Sequence, residues 1–358
     1  MKIGIVGLPN AGKSTLFNAL TRAGAETGDY AFTTIDPNVA IVPVPDERLE
    51  RVAEVVGSSE VVPETIEFHD IAGLVPGAAE GEGLGNKFLA AIRETDAICH
   101  VVRCHASGGV PHPEGRIDPG ADIDLVETEL LAADLEQAER RLERVVKQAR
   151  SGDRESIAEQ AWLEQVVDAL GRGRPVREVP VPDAARDARR RLFALTSKPI
   201  LYVANVEEGV DEVPAAVAEH ARGAAAVAVA ISARIEVELG ELGDDAEAVE
   251  LRSELGIAES GLQRLIAAAF ELLDLEVFFT AGEDREAMAR ALRRGATAWD
   301  AAGEVHTEIQ RAFVKAEVVG WRDLVDAGGY AAARDRGLLR TEGRGYVVAD
   351  GDVITIKV

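Results

Sequence analysis

Cysteine is nearly absent. Cys99 and Cys104 are the only two in 358 residues, and two cannot build a disulfide framework. Long apolar runs are missing too. No window reaches the about 18 apolar residues that a membrane-spanning helix needs, so no membrane partner is expected. Near the N-terminus Ile3, Ile5 and Val6 give way at once to Asn10, Lys13 and Ser14. That is too short for the apolar region of a signal peptide, and a cytoplasmic location is expected. Aromatic residues make up only 4% of the chain, so Trp162, Trp299 and Trp321 read as packing anchors rather than base-stacking platforms. Basic side chains are scarce as well: 39 against 63 acidic ones, a formal charge of -24. Phosphate binding needs cationic surface, so a chain coated in nucleic acid is excluded and DNA is not expected as a partner. Cys99-His100 and Cys104-His105 lie along and just beyond one predicted strand, whose neighbours alternate between faces. With no second cysteine pair, a zinc site is rejected.

What is present suffices for a folded protein. Hydrophobic residues are 47% of the chain, enough for sizeable cores, and the length predicts two or three domains. Lys2–Val6, Val39–Val44, Thr65–His69 and Ala97–Val102 read as strands, with helices over Ser14–Arg22 and Leu84–Glu94. That alternation predicts an α/β domain with a mainly parallel sheet. From Ile123 the texture becomes helical, with Leu125, Leu130, Leu131, Leu135, Leu142, Val145 and Val146 among Glu and Arg. Further helical runs cover Arg154–Gly171 and Asp183–Leu195. An inserted antiparallel helical coiled coil is expected; the alternative is that these helices belong to one globular domain. Strands resume at Pro199–Ala204 and Ala226–Ile231, with helices near Ala246–Leu255 and Leu262–Leu273. A small α+β tail follows, with strands near Val277–Thr280, Arg311–Val318, Tyr346–Val348 and Val353–Lys357. Its helices are expected at Thr297–Gly303 and Asp323–Ala327. The expected division is 1–121 with 199–277, an insert at 122–198, and a tail at 278–358.

The clearest motif is Gly7-Leu8-Pro9-Asn10-Ala11-Gly12-Lys13-Ser14-Thr15, a match to G-x-x-x-x-G-K-[ST] between a strand and a helix. Its glycines let backbone N–H groups wrap a phosphate, and the helix N-terminus adds a positive dipole end. Asn10 through Thr15 are therefore nucleotide-binding candidates. Lys13 would bridge the terminal phosphates as a catalytic cation, and the Ser14 hydroxyl would ligate Mg²⁺. Thr34 is the second expected hydroxyl ligand, with Thr33 as its rival. Asp70-Ile71-Ala72-Gly73 ends a strand. Asp70 would hold the metal through water, and the Gly73 N–H would meet the terminal phosphate.

Two later strand ends carry the base-reading elements. Asn205-Val206-Glu207-Glu208 stands where guanine-specific proteins carry N-K-x-D, and Ser232-Ala233-Arg234 stands where they carry S-A-K. Val206 removes the lysine, and Glu208 is one methylene longer than Asp. An Asn205 side-chain acceptor could meet the amino group of adenine, and a site not built for guanine loses much of its discrimination against adenine. ATP is therefore expected in preference to GTP. Asn205, Val206, Glu208, Ser232, Ala233 and Arg234 are the candidate contacts.

These motifs together resemble the YchF family, the Obg-like ATPases of the translation-factor class. The resemblance is carried by Gly7–Thr15, Tyr30–Asn38, Asp70–Leu74 with Gly81–Phe88, Leu201–Glu208, Phe278–Gly282 and Tyr346–Asp352, and spans essentially the whole chain. It implies a nucleotide domain interrupted by a coiled coil, a C-terminal TGS domain with a ubiquitin-like β-grasp, an ATP preference and association with ribosomes. Leu74 occupies the place of the water-orienting Gln of many relatives. The resemblance offers His112 as its catalytic substitute, although Pro111 and Pro113 flank it; the alternative is a loop histidine without that role. In related P-loops an Asn at position 10 helps hold K⁺; the alternative is a loop-stabilising hydrogen bond.

Two rival functions stay open: a GTPase of the Obg-related class, and a nucleotide-gated ribosome-binding module with incidental hydrolysis. A pure scaffold leaves Lys13, Ser14, Thr34 and Asp70 unexplained. The charge is also uneven. Residues 206–278 hold 17 acidic and 4 basic side chains, a net of -13, whereas 279–358 hold 13 and 12, a net of -1. Residues 172–198 hold 8 basic and 3 acidic, a net of +5. That edge of the insert, with Arg189–Arg191 at its centre, is either a solvated face or a restricted contact for ribosomal RNA.

Overall fold

The computed structural model describes residues 1–26, 38–71, 84–106, 112, 115–242 and 260–358. The strands are β1 (Lys2–Val6), β2 (Val39–Val44), β3 (Glu60–Val62), β4 (Glu64–Asp70), β5 (Ala97–Arg103), β6 (Ile200–Asn205), β7 (Val227–Ile231), β8 (Leu275–Thr280), β9 (Glu286–Arg293), β10 (Lys315–Gly320), β11 (Arg340–Glu342) and β12 (Asp352–Lys357). The chain divides into two compact units. One comprises 1–42 and 67–268, the other 43–66 and 269–358.

The first sheet has the order β2-β4-β1-β5-β6-β7. Its β4–β1, β1–β5, β5–β6 and β6–β7 pairs are all parallel. Every residue of β5 and β6 is buried, as the continuous apolar runs of central parallel strands require. The sheet brings the carboxyl ends of β1, β4, β5, β6 and β7 to one edge, where ligands bind in open α/β folds.

The helix Pro119–Ala149 links two cores. Asp118 caps it through the Ala121 N–H, and Pro119 occupies its first turn, where a missing N–H costs nothing. Ile123, Val126 and Leu130 pack with Val6, Ile98 and Tyr202. Further along, Ala138 and Val145 join Trp162, Leu163 and Val166 of the following helix Arg154–Gly171. The same helix therefore serves both the nucleotide-domain core and the hairpin core. That shared helix is why residues 122–198 do not separate as a third compact unit. The expected third helix, Asp183–Leu195, is broken. Only Ala188–Leu192 is α-helical, between 3-10 turns at Asp183–Ala185 and Leu195–Ser197. Pro182 precedes the first turn, and Phe193 takes a left-handed φ of 52° that stops the helix.

The second sheet, in the order β11-β10-β12-β8-β9-β3, is mixed. Phe278 and Phe279 are successive residues of β8 and point to opposite faces. Phe278 joins Ala298, Phe313 and Ile354, and Phe279 joins Leu49, Val52, Val319 and Leu324. The helix Glu47–Val56 and strand β3 thus belong to this unit, with β3 parallel to β9. The division that gave all of 1–121 to the nucleotide domain is corrected for 43–66: the apolar face of that helix is buried against the C-terminal sheet. The tail strand expected at Tyr346–Val348 reduces to one bridge between Val347 and Thr297. Trp162 and Trp321 pack into cores, whereas Trp299 remains 40% exposed. The helix expected at Ala246–Leu255 lies outside the described residues.

Asp134, 1% exposed, ties the hairpin's return path to the long helix. It accepts from the N–H groups of Leu195 (2.8 Å) and Thr196 (2.7 Å) and from the Thr196 hydroxyl (2.7 Å). Asp134→Ala would strand three buried donors, and we expect a loss of about 3 kcal/mol of unfolding free energy in urea titration. A loss below about 1 kcal/mol would show that water replaces the carboxylate.

Candidate nucleotide site

The turn after β1 is shaped by three unusual backbone angles: φ of 150° at Gly7, 65° at Asn10 and 101° at Gly12. Glycine takes these values without steric cost, and asparagine tolerates the left-handed region better than most residues. Asn10 therefore has a conformational reason to be present, apart from any cation. The helix Lys13–Glu26 follows, so Ser14 and Thr15 lie exposed in its first turn.

A cavity of about 480 Å³ opens over this turn. Asn10, Gly12, Lys13, Ser14 and Thr15 form one wall, and Asn205, Val206, Glu208, Ser232, Ala233 and Arg234 form the other. The structure thus brings the P-loop against two loops that follow it by about 190 residues or more. Ala11, 3% exposed, lies behind the wall and contributes its carbonyl.

Asn205 joins the three loops. Its Nδ2 donates to Ala11 O at 3.0 Å, and its Oδ1 accepts from Ala233 N–H at 3.2 Å. This oxygen, expected to meet the adenine amino group, already accepts one hydrogen bond, and the residue is 5% exposed at the cavity wall. Gly12 is required by the same contact, since a Cβ there would stand 2.1 Å from Asn205 Nδ2. Val206 likewise turns into the core, 3% exposed, and its N–H donates to Ile231 O at 3.0 Å. Glu208 and Arg234 on the same wall are exposed and approach each other to 3.8 Å. Arg234 also donates to Glu238 at 2.9 Å.

Lys13 is 8% exposed, and its Nζ donates to Leu8 O at 2.8 Å. Burial lowers its pKa, and the charge of Asp70 at the end of β4 partly offsets this. Asp70 is raised by its own desolvation and drawn back by Lys13. Each group is under-solvated, and neither fully compensates the other. A phosphate would supply the missing negative charge to Lys13. The Ser14 hydroxyl and the Asp70 carboxylate are hard oxygen donors of the kind that Mg²⁺ takes. The other expected metal ligand, Thr34, and Gly73 lie outside the described residues.

His112 is not among the residues that line the cavity. Its Nε2 lies 2.8 Å from Asp122 Oδ2 in the first turn of Pro119–Ala149, and both side chains are nearly buried. The expectation of an imidazole beside the terminal phosphate is corrected for this arrangement, because a buried carboxylate holds the ring. Desolvation raises the Asp122 pKa, and the hydrogen bond from His112 opposes the rise. The cavity also contains three residues that motif reading did not assign: Arg103, His105 and Glu207. The apolar run of β5 ends at the first two, and that position at a strand's carboxyl end was the available signal.

Two family models match the chain. The MMR_HSR1 family, described as "50S ribosome-binding GTPase", matches residues 2–148. The YchF-GTPase_C family, described as "Protein of unknown function (DUF933)", matches 275–358. The chain is 47% identical over 362 residues to "Ribosome-binding ATPase YchF" of Bacillus subtilis, covering 99% of this chain and 98% of that one. It is 48% identical over 359 residues to the protein of the same name in Haemophilus influenzae, with the same coverage. Among solved structures it is similar to the Schizosaccharomyces pombe YchF GTPase, with a TM-score of 0.87, 33% identity, and coverage of 100% of this chain and 97% of that one.

The buried lysine makes a prediction of two opposite signs. A lysine whose folded pKa is lowered disfavours folding at pH values where it must stay charged; the penalty fades as pH rises through the folded value. Lys13→Met should therefore leave the nucleotide-free protein at least as stable in urea, while weakening nucleotide affinity by about a hundredfold or more, ~2.7 kcal/mol. Unchanged affinity would remove Lys13 from the site.

Proposed function

The chain belongs to the YchF family of P-loop nucleoside triphosphatases, and from that premise we propose that it binds ATP with Mg²⁺, in preference to GTP, and hydrolyses it slowly as a conformational switch. The carrying observation is the base end of the cavity. The acidic member of the base element, Glu208, is one methylene longer than the aspartate of N-K-x-D and has only a long 3.8 Å approach to Arg234, and Val206 lies in the core instead of flanking a base. Guanine recognition depends on a carboxylate placed to accept from the N1 and N2 donors and on a lysine stem against the base, and this chain has neither the aspartate nor the lysine of that pattern. Ser14 and Asp70, with Thr34, are the proposed metal ligands. Lys13 and the Gly73 N–H are the proposed contacts to the terminal phosphate. The proposed role of Asn10 beside K⁺ competes with its left-handed backbone.

The relatives' printed names support a ribosomal partner for this chain, and with it a cytoplasmic setting. Among the described residues no helix is long and apolar enough to cross a membrane. We place the RNA contact on the return segment of the insert, with the tail as a second, TGS-like element. Within Arg189–Arg191 the three side chains differ. Arg189 donates to Val179 O, and Arg191 is held by Glu155 and Glu159. Arg190 and Arg186 are exposed, and Arg190 has only a long 3.9 Å approach to Asp187. The contact surface is therefore smaller than the sequence count of +5 suggests.

Titration with ATP and GTP, with turnover measured, tests the reading. A guanine preference of about a hundredfold, ~2.7 kcal/mol, would overturn it in favour of a GTPase. His112→Ala should leave turnover within about twofold, because Asp122 rather than the phosphate engages the ring; a loss of about a hundredfold would restore the histidine to catalysis. Replacing Arg186 and Arg190 together with Ala should weaken ribosome sedimentation and flatten its salt dependence. No change in either would leave that edge a solvated face.

A further inference from the structure

His105 lies at the cavity wall beside Asn205, outside both the phosphate motif and the base motif. We infer that His105 is a positioning residue for nucleotide binding, acting through Asn205 in the neutral imidazole form that carries its proton on Nδ1. The inference rests on reading this cavity as the nucleotide site.

The tautomer follows from backbone partners. An asparagine amide is ambiguous by shape, since its oxygen and nitrogen are alike in size. Here two groups of fixed role orient it. The Ala233 N–H can only donate, so the Asn205 atom 3.2 Å away is the oxygen. The Ala11 carbonyl can only accept, so the atom 3.0 Å away is the nitrogen. The second amide hydrogen is then left for His105 Nε2, at 3.3 Å. Two donors cannot bond each other, so Nε2 must be the unprotonated ring nitrogen.

Neutral His105 thus completes the hydrogen bonding of Asn205, whose two N–H groups and oxygen each meet a partner. Protonation puts N–H on both ring nitrogens. It removes the acceptor and sets a cation against an amide donor. Asn205 is the link between the P-loop and the Ser232-Ala233 turn, so weakening its third contact loosens both walls of the cavity. Among the described residues, the charged groups facing this region are Lys13 from the P-loop, Arg103 from the end of β5, Glu207 and Glu208 after β6, and Arg234 after β7. Arg103 Nε also donates to the His105 carbonyl at 3.2 Å, which fixes the backbone beneath the ring. Any protonation of the ring therefore removes this acceptor.

The test measures the Kd of Mg²⁺-ADP by calorimetry between about pH 8 and about pH 5.5, on the full chain, for wild type, His105→Gln and His105→Phe. Phosphate titration of the ligand, Lys13 and Asp70 are common to all three proteins. Gln offers Asn205 an amide oxygen that does not titrate; Phe offers no acceptor. Wild type should lose about fivefold to tenfold more affinity on acidification than His105→Gln, the factor of one neutral hydrogen bond. His105→Gln should match wild type at the alkaline end, and His105→Phe should bind more weakly by a similar factor throughout. One shared pH profile for all three, or His105→Phe equal to wild type at the alkaline end, would overturn the inference while leaving the nucleotide site intact. Absence of binding by every protein at every pH would overturn the nucleotide reading, and this inference with it.

Discussion

The side chain of Asn205 is the contact on which the site depends. Three loops meet at the carboxyl edge of a parallel sheet, and a side chain ties the P-loop to the other two. One amide donates to the Ala11 carbonyl and accepts from the Ala233 N–H. Gly12 must lack a side chain because that amide occupies the space. The P-loop and the turn after β7 are thereby tied together by one side chain. Preorganisation of this kind lowers the ordering cost of binding.

Around that tie the site holds charge in an unfinished state. Lys13 and Asp70 are each pushed toward neutrality by burial, and each only partly corrects the other. A triphosphate with its metal would complete both, one with negative charge and one with positive. The same principle separates His112 from the cavity. Its ring has found a buried carboxylate in Asp122, and that pair fastens its loop to the start of the long helix. Arg191 is a third case, held between Glu155 and Glu159. Formal charge counted along the chain overstates the cation available to a partner wherever such pairs form.

The legible parts of this chain are those whose cause is local. β1, the P-loop and the following helix are fully specified by period, glycine placement and a strand-turn-helix order. β5 and β6 announce themselves as continuous apolar runs because both their faces are covered. The illegible parts have distant causes. Glu286–Arg293, with the sequence EAMARALR, has helical propensity yet forms β9, because it completes ladders with β8 and β3. The helix Glu47–Val56 and β3 look like a continuation of the nucleotide domain and instead pack with a sheet formed more than 200 residues later.

By itself, the sequence determined which groups stand at each loop: a glycine-shaped turn with a lysine, a hydroxyl and a carboxylate, and an altered N-x-x-E element. It determined these because glycine conformation, hydroxyl and carboxylate donors, and strand-to-helix order act within a few residues. The tertiary structure alone decided which of those groups are free. It bonded Asn205 to two other loops, packed Val206 in the core, bound His112 to Asp122, brought His105 to the cavity wall, and moved 43–66 into the second unit. These outcomes turn on burial and hydrogen-bond competition among residues remote in the chain, which no local pattern records.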